Sequence, residues 1–252
     1  DVYFTSVTEQ WSVATVSGPN AAKIIKDAGV DIDLSTANFP FMSMQECHIS
    51  GLPVRLFRIS FTGELSFEIN VAARHGLALW TLLMKAGAAH GLTPYGTEAM
   101  HVLRAEKGFI IVGQETDGSV TPHDLGMGWI VSKTKPDFIG KRALARQSMA
   151  LDNRKQLVGL MTNDPATVIP EGAHAVLDPD QPPPMEMLGQ VTSSYFSPNI
   201  GRSIAMALLK GGHKRKGQKV YFPLLDGTVI EAIITDTVFF DPEGARINGE
   251  PV

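Results

Sequence analysis

The stretch LSFEINV, residues 65–71, alternates strictly between apolar and polar side chains. A period of two is typical of a β-strand with one buried face and one open face. Gly63, just before this stretch, predicts a bulge or a close backbone approach. The sequence therefore predicts a half-buried strand with Glu68 in the middle of its polar face. The predicted buried residues are Leu65, Phe67, Ile69 and Val71.

The segments around this strand alternate between strand-like and helix-like patterns. In chain order they give β-α-β-β-β-α-α, which predicts an α+β fold with helices packed on an antiparallel sheet. In the helix over 73–91 we expect one buried stripe. That stripe consists of Leu77, Trp80, Leu83 and Met84. The other predicted elements are strands within 11–18 and 46–60 and helices over 18–29 and 93–108.

The pattern changes after about residue 154. From there the chain shows short strand-like runs separated by Gly, Pro, Asn and Asp turns. That rhythm is typical of a small antiparallel β-barrel. We therefore predict two domains, one over residues 1–154 and one over residues 155–252.

The composition is that of an ordinary soluble globular protein. The chain has 252 residues, 44% of them hydrophobic and 19% charged, with a formal net charge of −4. Such a charge argues against a nucleic-acid partner, and no apolar run approaches the roughly 20 residues that a membrane helix needs. Cys47 is the only cysteine, which excludes an internal disulfide and fits a cytoplasmic location. Because the sequence begins with Asp1, we expect a fragment of a longer chain.

Several common site motifs are missing from the sequence. GMGWIV, residues 126–131, has two glycines of a dinucleotide fingerprint but Val131 at the third position. There is no G-x-S-x-G elbow and no Walker A sequence. The seven histidines never have H-x-H or H-E-x-x-H spacing, so we predict no metal site.

Glu68 has two interpretations. It can be a solvated residue on an open strand face, which pattern alone favours. It can instead recognise a ligand, because a carboxylate fixed on a strand accepts two parallel N–H bonds from an amidine-like edge such as that of a pterin. Glu64 lies roughly 13 Å away at about 3.3 Å per residue, which is too far for a glycosidase-type pair of acids.

Arg104 and Trp129 also have ordinary interpretations. Arg104 lies near the end of a predicted helix, where a cation compensates the helix dipole or forms a surface ion pair. Trp129 is most simply a core residue. The pattern around these two residues does not by itself assign them a function.

An ordered set of motifs identifies a family. The chain resembles the folate-binding aminomethyltransferases, the T-proteins of glycine cleavage. It is more similar to the C-terminal half of sarcosine oxidase alpha subunits and of dimethylglycine dehydrogenases. The motifs are F-T-G-E-x-x-F-E-I (61–69), P-Y-G-x-E-A (94–99), L-R-x-E-K-G (103–108), G-Q-E-T-D (113–117), T-P-x-D-L-G-M-G-W (121–129), V-G-L (158–160) and S-P-N-I-G-R-S-I-A-M-A (197–207).

This resemblance implies a ferredoxin-like, T-protein type of fold and a bound tetrahydrofolate that accepts a one-carbon unit. It implies that Glu68 binds the pterin, that Phe61 and Trp129 line the folate pocket, and that Arg104 contacts folate. In the sarcosine oxidase branch, 5,10-methylenetetrahydrofolate forms after a flavin oxidises an N-methyl group. Flavin and NAD sites are then expected outside this chain, and the other oxidase subunits are expected as partners.

Three departures from the family pattern limit what can be carried over. Phe61 stands where T-proteins usually have a tyrosine, so a hydroxyl contact is lost. The stretch TNDPATVIP (162–170) lacks an arginine that T-proteins have there. The catalytic aspartate of the family is expected upstream of Asp1, so the catalytic residue of this chain is unknown and the isolated fragment is expected to be inactive.

Two alternatives stay open. One is a free-standing folate-dependent aminomethyltransferase or demethylase. The other is a non-enzymatic folate-binding module, whose hallmark is a cysteine just after the K-G pair where this chain has Phe109. The sequence does not distinguish sarcosine from dimethylglycine as the amine.

Overall fold

The computed structural model describes residues 1–250 of the chain. Two compact units account for these residues. The first comprises Asp1–Met100 together with residues from Glu243 onward, and the second comprises His101–Pro242. The domain boundary that the sequence predicts after residue 154 stays a prediction.

The first unit is built on a four-stranded antiparallel sheet in the order β1-β4-β3-β2. Two helices, α1 and α2, belong to it, and α3 follows them in the chain. This order of elements confirms the predicted α+β fold. The elements are β1 (Trp11–Ser17), α1 (Ala21–Asp27), β2 (Ser43–Ile49), β3 (Leu52–Arg58), β4 (Ser66–Ala72), α2 (Gly76–Gly87) and α3 (Thr97–Glu106).

The alternating stretch forms strand β4 as predicted. Phe67, Ile69 and Val71 are fully buried, whereas Glu68 and Asn70 are only half-buried. Because side chains alternate across a strand, the apolar residues face the core and the polar ones face outward. Strand β4 lies between β1 and β3 and is hydrogen-bonded to both. Its outer face is therefore supported by a neighbouring strand on each side.

The predicted buried stripe of α2 is wrong in part. Leu79 and Leu83 are the residues that α2 buries most deeply, while Leu77 is 80% exposed and Trp80 is half exposed. The helix is apolar on more than one face, and the periodicity does not say which face the sheet covers. Packing against the sheet and α1 selects the face that carries Leu79.

The second unit contains a closed antiparallel barrel of six strands in the order β10-β5-β8-β7-β6-β9, which confirms the predicted barrel. The sequence missed β6 because three residues are too few for a period to emerge. Its elements are α4 (Lys141–Leu144), β5 (Lys155–Thr162), β6 (His174–Val176), β7 (Met187–Ser197), β8 (Arg202–Lys210), β9 (Lys219–Pro223) and β10 (Val229–Thr235). Within residues 1–250, no helix has both the length and the apolar character that crossing a bilayer requires.

Candidate functional site

Glu68 lies in the middle of the outer face of the first unit's sheet. The strand register places Thr15 of β1 directly opposite it on one side and Phe57 of β3 on the other. Directly opposed side chains on one face of a sheet lie close enough to act on the same ligand. The carboxylate therefore stands between a hydroxyl and an aromatic ring on a rigid support.

The Glu68 carboxylate has one hydrogen-bond partner among residues 1–250. The side-chain amide of Asn70 donates from Nδ2 to Glu68 Oε1 at 3.1 Å. The nearby cation, Arg55, pairs with Glu46 at 3.3 Å and stacks over the ring of Trp11 at 4.4 Å. An ionised carboxylate has about four acceptor positions, so Glu68 keeps acceptor capacity for a ligand with N–H donors.

Glu64, the other acid near this strand, has a different role. Its Oε1 accepts a hydrogen bond from Arg246 Nη1 at 2.6 Å, and the two side chains form a partly buried ion pair. This contact joins the turn before β4 to a residue 182 positions later in the chain. The negative charge of Glu64 is therefore compensated by a cation, whereas that of Glu68 is not.

An apolar cavity of about 290 Å³ lies beside β1 in the first unit. Thr15, the cross-strand neighbour of Glu68, is one of its lining residues, and Trp80, Met84 and Tyr95 supply large side chains. Ligand pockets in proteins are mostly apolar with a few polar groups that fix orientation. The cavity therefore reaches Thr15, the cross-strand neighbour of Glu68, whereas Glu68 itself is not one of its lining residues.

Phe61 belongs to the irregular segment between β3 and β4, also in the first unit. Its side chain is 39% exposed, and Gly63 two residues later has φ +80°. This positive φ is a conformation that glycine adopts without strain, and the bulge or close backbone approach predicted at Gly63 stays a prediction. Within this segment Phe61 is partly open to solvent.

Arg104 is fully buried inside the second unit. Its Nη1 donates to Glu115 Oε2 at 2.9 Å and to the carbonyl of Phe109 at 3.1 Å. Its Nη2 donates to Ser193 Oγ at 2.6 Å and lies 3.4 Å from the Tyr195 hydroxyl. The interpretation of Arg104 as a surface ion-pair arginine is therefore wrong, because its guanidinium is enclosed by chain partners, although it does lie in the last turn of α3.

Glu115 completes this buried network. It is fully buried, and besides Arg104 it accepts hydrogen bonds from Ser193 Oγ and, at 2.8 Å, from the backbone N–H of Ile111. A buried carboxylate is tolerated when it is paired and hydrogen-bonded in this way. The G-Q-E-T-D motif therefore supplies the counter-ion of the arginine in L-R-x-E-K-G.

The remaining charged residues of L-R-x-E-K-G are buried in the same unit. Glu106 accepts hydrogen bonds from Ser197 Oγ at 2.5 Å and from Asn199 Nδ2 at 2.8 Å. Lys107 donates to the backbone carbonyl of Asp241 and lies 3.4 Å from its carboxylate. Charged side chains are rarely buried unless they are paired. Here Lys107 forms an ion pair with Asp241, and Glu106 is satisfied by a hydroxyl and an amide. The motif therefore fixes the end of α3 to the barrel unit.

Trp129 lies on a single 3₁₀ turn, Gly128–Ile130, and is 78% exposed. The simple interpretation of Trp129 as a core residue is therefore wrong. An exposed tryptophan offers a large flat surface for stacking or for a partner protein.

The loop before Trp129 is held by a partly buried ion pair. Asp124 accepts hydrogen bonds from Thr121 and from the Arg154 guanidinium, the shortest at 2.6 Å from Arg154 Nη2. Burial opposes ionisation of Asp124, but these hydrogen bonds outweigh it and hold the pKa of this carboxyl below its ordinary value. The hydrogen bond to Asp124 in turn raises the pKa of Arg154.

Two other kinds of site find no support in the described residues. Within residues 1–250, no group of three or more His, Cys, Asp or Glu side chains is arranged to hold a metal ion. Cys47 is buried in β2, and burial together with the charge of Asp31 raises the pKa of its thiol to about 11. A thiol with such a pKa is protonated at neutral pH and is not a nucleophile.

Both parts of the chain match models of one protein family. Residues 1–135 match the GCVT N-terminal domain, and residues 155–241 match the glycine cleavage T-protein C-terminal barrel domain. The chain belongs to the glycine cleavage T-protein family. A solved member of this family, the glycine cleavage system aminomethyltransferase T from Bartonella henselae, is similar in structure with a TM-score of 0.77 and 27% identity, over 91% of this chain and 59% of that one.

Curated relatives of this T-protein family chain carry several names. The sarcosine oxidase subunit alpha of Corynebacterium sp. (strain P-1) is 46% identical over 99% of the chain, which spans 26% of that relative. Human mitochondrial dimethylglycine dehydrogenase is 33% identical over 98% of the chain and 28% of the relative. The aminomethyltransferase of Caldanaerobacter subterraneus is 31% identical over 95% of the chain and 61% of the relative. The chain thus spans about a quarter of the length of the sarcosine oxidase alpha subunits that it matches.

The structure places Glu68 and Phe61 in the first unit and Arg104 and Trp129 in the second. Sequence reasoning did not find Asn70, the partner of Glu68, although an amide two residues along the same strand face was a visible signal. It also did not find Glu115 and Ser193, because they lie 11 and 89 residues from Arg104 and no local period links them to it.

Proposed function

We propose that this chain is the folate-binding part of a sarcosine oxidase alpha subunit. In this proposal it positions tetrahydrofolate to accept the one-carbon unit of an oxidised N-methyl amine, which gives 5,10-methylenetetrahydrofolate. The higher identity to sarcosine oxidase alpha subunits than to aminomethyltransferases favours this activity over a free-standing aminomethyltransferase. The flavin and NAD sites are proposed to lie outside residues 1–252, and the other oxidase subunits are the proposed partners.

The observation that carries the proposal is the environment of Glu68. Its carboxylate is fixed on a central strand, has one amide partner and has no cation paired with it among residues 1–250. A reduced pterin presents a ring N–H and an exocyclic amine side by side, and a carboxylate accepts both in a charge-assisted pair of hydrogen bonds. The carboxylate of Glu68, with no cation paired to it in the described part of the chain, supports this proposal.

The residues of this chain bind and orient, while the bound tetrahydrofolate supplies the amine nitrogens that accept the carbon. Glu68 holds the pterin edge, and Phe61 and Trp129 are proposed as ring contacts. Holding two reactants in place lowers the barrier by converting a bimolecular step into a nearly unimolecular one.

For Arg104 we propose a role different from the folate contact that the family resemblance implies. Direct contact between Arg104 and folate stays a prediction. The fully buried guanidinium, bonded to Glu115 and Ser193, favours a positioning role in which Arg104 fixes the backbone around Phe109.

The test is calorimetric titration of tetrahydrofolate into the full-length protein and into the Glu68→Gln variant. Glutamine keeps the size of the side chain but replaces one acceptor oxygen by a donor, which faces the donors of the pterin. We expect affinity to fall by roughly 30- to 150-fold, equivalent to the ~2–3 kcal/mol of a charge-assisted contact.

The control is Glu9→Gln, the same substitution at an exposed glutamate of the first unit. Glu9 lies in the 3₁₀ turn Thr8–Gln10, six residues before Thr15, so its replacement is expected to leave folate affinity unchanged. Equal affinity of the wild-type protein and Glu68→Gln would mean that Glu68 is only a solvated residue, and the proposal would fail.

A further inference from the structure

We propose that Asn70 is a positioning residue for Glu68, fixing its carboxylate in the orientation that reads the N–H edge of a reduced folate. This inference rests on the proposed function and deepens it by adding a second residue to the recognition element. The period of two places Asn70 on the same strand face as Glu68, and the family motifs do not include it.

Among residues 1–250, the side-chain amide of Asn70 donates to Glu68 and to no other acid. Both residues lie on the outer face of β4, two positions apart, with Asn70 Nδ2 at 3.1 Å from Glu68 Oε1. In the register of the sheet, Asn70 is flanked by Val13 on β1 and by Arg55 on β3. Val13 offers no hydrogen bond, and Arg55 is paired with Glu46.

An amide is better suited than a cation to hold the Glu68 carboxylate for a ligand. A glutamate side chain has several rotamers, and a ligand that fixes it must overcome the loss of that freedom. The Asn70 amide reduces this loss by holding one oxygen before the ligand arrives. Because the amide is neutral, it leaves the negative charge of Glu68 available, in contrast to Arg246 beside Glu64.

The test is a double-mutant cycle on tetrahydrofolate affinity in the full-length protein, with Asn70→Leu, Glu68→Gln and the double variant. Leucine keeps the size of asparagine but removes the donor. We expect Asn70→Leu alone to weaken binding by about five- to tenfold. In the Glu68→Gln background, Asn70→Leu is expected to change tetrahydrofolate affinity by less than about twofold, because Asn70 acts through the Glu68 carboxylate.

Two further variants separate positioning from a general structural effect. Asn153→Leu makes the same substitution at an exposed turn position in the second unit and is expected to leave affinity unchanged. Asn70→Gln keeps an amide donor at this position on a longer side chain. Folate affinity in this variant should therefore be higher than that of Asn70→Leu if the amide donor is what matters.

The outcomes are distinguishable. If Asn70→Leu binds like the wild-type protein while Glu68→Gln is impaired, the role of Asn70 is refuted and the proposed function stands. If the two single effects simply add, Asn70 does not act through Glu68 and the inference is overturned. If Glu68→Gln also binds normally, the proposed function fails together with this inference.

Discussion

The guanidinium of Arg104 and the carboxylate of Glu115 form an ion pair at 2.9 Å in which both side chains are fully buried. The Ser193 hydroxyl, on strand β7, accepts a hydrogen bond from Arg104 and donates one to Glu115, so it bridges the two side chains. Such a pair adds little net stability compared with apolar residues, but losing one partner leaves an uncompensated buried charge.

Replacing one member of this pair should therefore destabilise the second unit strongly. For Glu115→Gln we expect the free energy of unfolding to fall by roughly 3–5 kcal/mol, measured by urea denaturation of the full-length protein. The exposed pair of Lys214 and Asp152 provides the control, since Asp152→Asn should change stability by less than about 1 kcal/mol. A Glu115→Gln protein as stable as this control would show that the pair is not buried in solution.

The Asp124–Arg154 pair predicts a defined dependence of stability on pH. Because the folded-state pKa of Asp124 is lowered, its stabilising effect is complete above the unfolded pKa of about 3.9 and is lost as the pH falls through the folded value. The difference in unfolding free energy between the wild-type protein and Asp124→Asn should be constant from about pH 5 to 7 and should shrink below about pH 4.

Urea midpoints measured from pH 2.5 to 7 test this. Asp180→Asn, which removes an exposed carboxylate, is the matched control. Its unfolding free energy should differ from that of the wild-type protein by the same amount at every pH. If the difference in unfolding free energy between the wild-type protein and Asp124→Asn stays constant down to pH 2.5, the prediction is contradicted.

Trp129 should report on the ligand. Since it is 78% exposed, its fluorescence should be strongly quenched by acrylamide in the ligand-free protein. The difference between the wild-type protein and Trp129→Phe isolates this signal from that of the other tryptophans. If Trp129 contacts folate as proposed, saturating tetrahydrofolate should lower this component of quenching, whereas unchanged quenching with folate bound would remove Trp129 from the site.

The two acids near β4 should respond differently to the same substitution. Glu64→Gln breaks a partly buried ion pair with Arg246, so we expect unfolding free energy to fall by about 1 kcal/mol with folate affinity unchanged. Thermal melts and folate titration of the same preparation measure both quantities. A loss of folate affinity as large as that of Glu68→Gln would mean that the whole polar face, and not Glu68, binds the ligand.

The comparison of Glu68 with Arg104 shows where sequence reasoning succeeds. The strand that carries Glu68 was predictable because its signal is local, with a side-chain period of two and a glycine at the preceding bend. The environment of Arg104 was not predictable, because Ser193 is 89 residues away in the chain. Many such local patterns specify the four-stranded sheet and the barrel. No local pattern specifies which buried charges pair with one another.

Sequence alone therefore determined the elements of this protein: the alternating strand around Glu68, the glycine-bounded helices and the run of short barrel strands. Tertiary structure decided which face of α2 is buried, that Arg246 neutralises Glu64, and that Arg104 is enclosed while Trp129 is exposed. The physical reason is the range of the forces involved. Backbone preference and side-chain period act between neighbours in the chain, whereas burial and charge pairing depend on residues that only folding brings together.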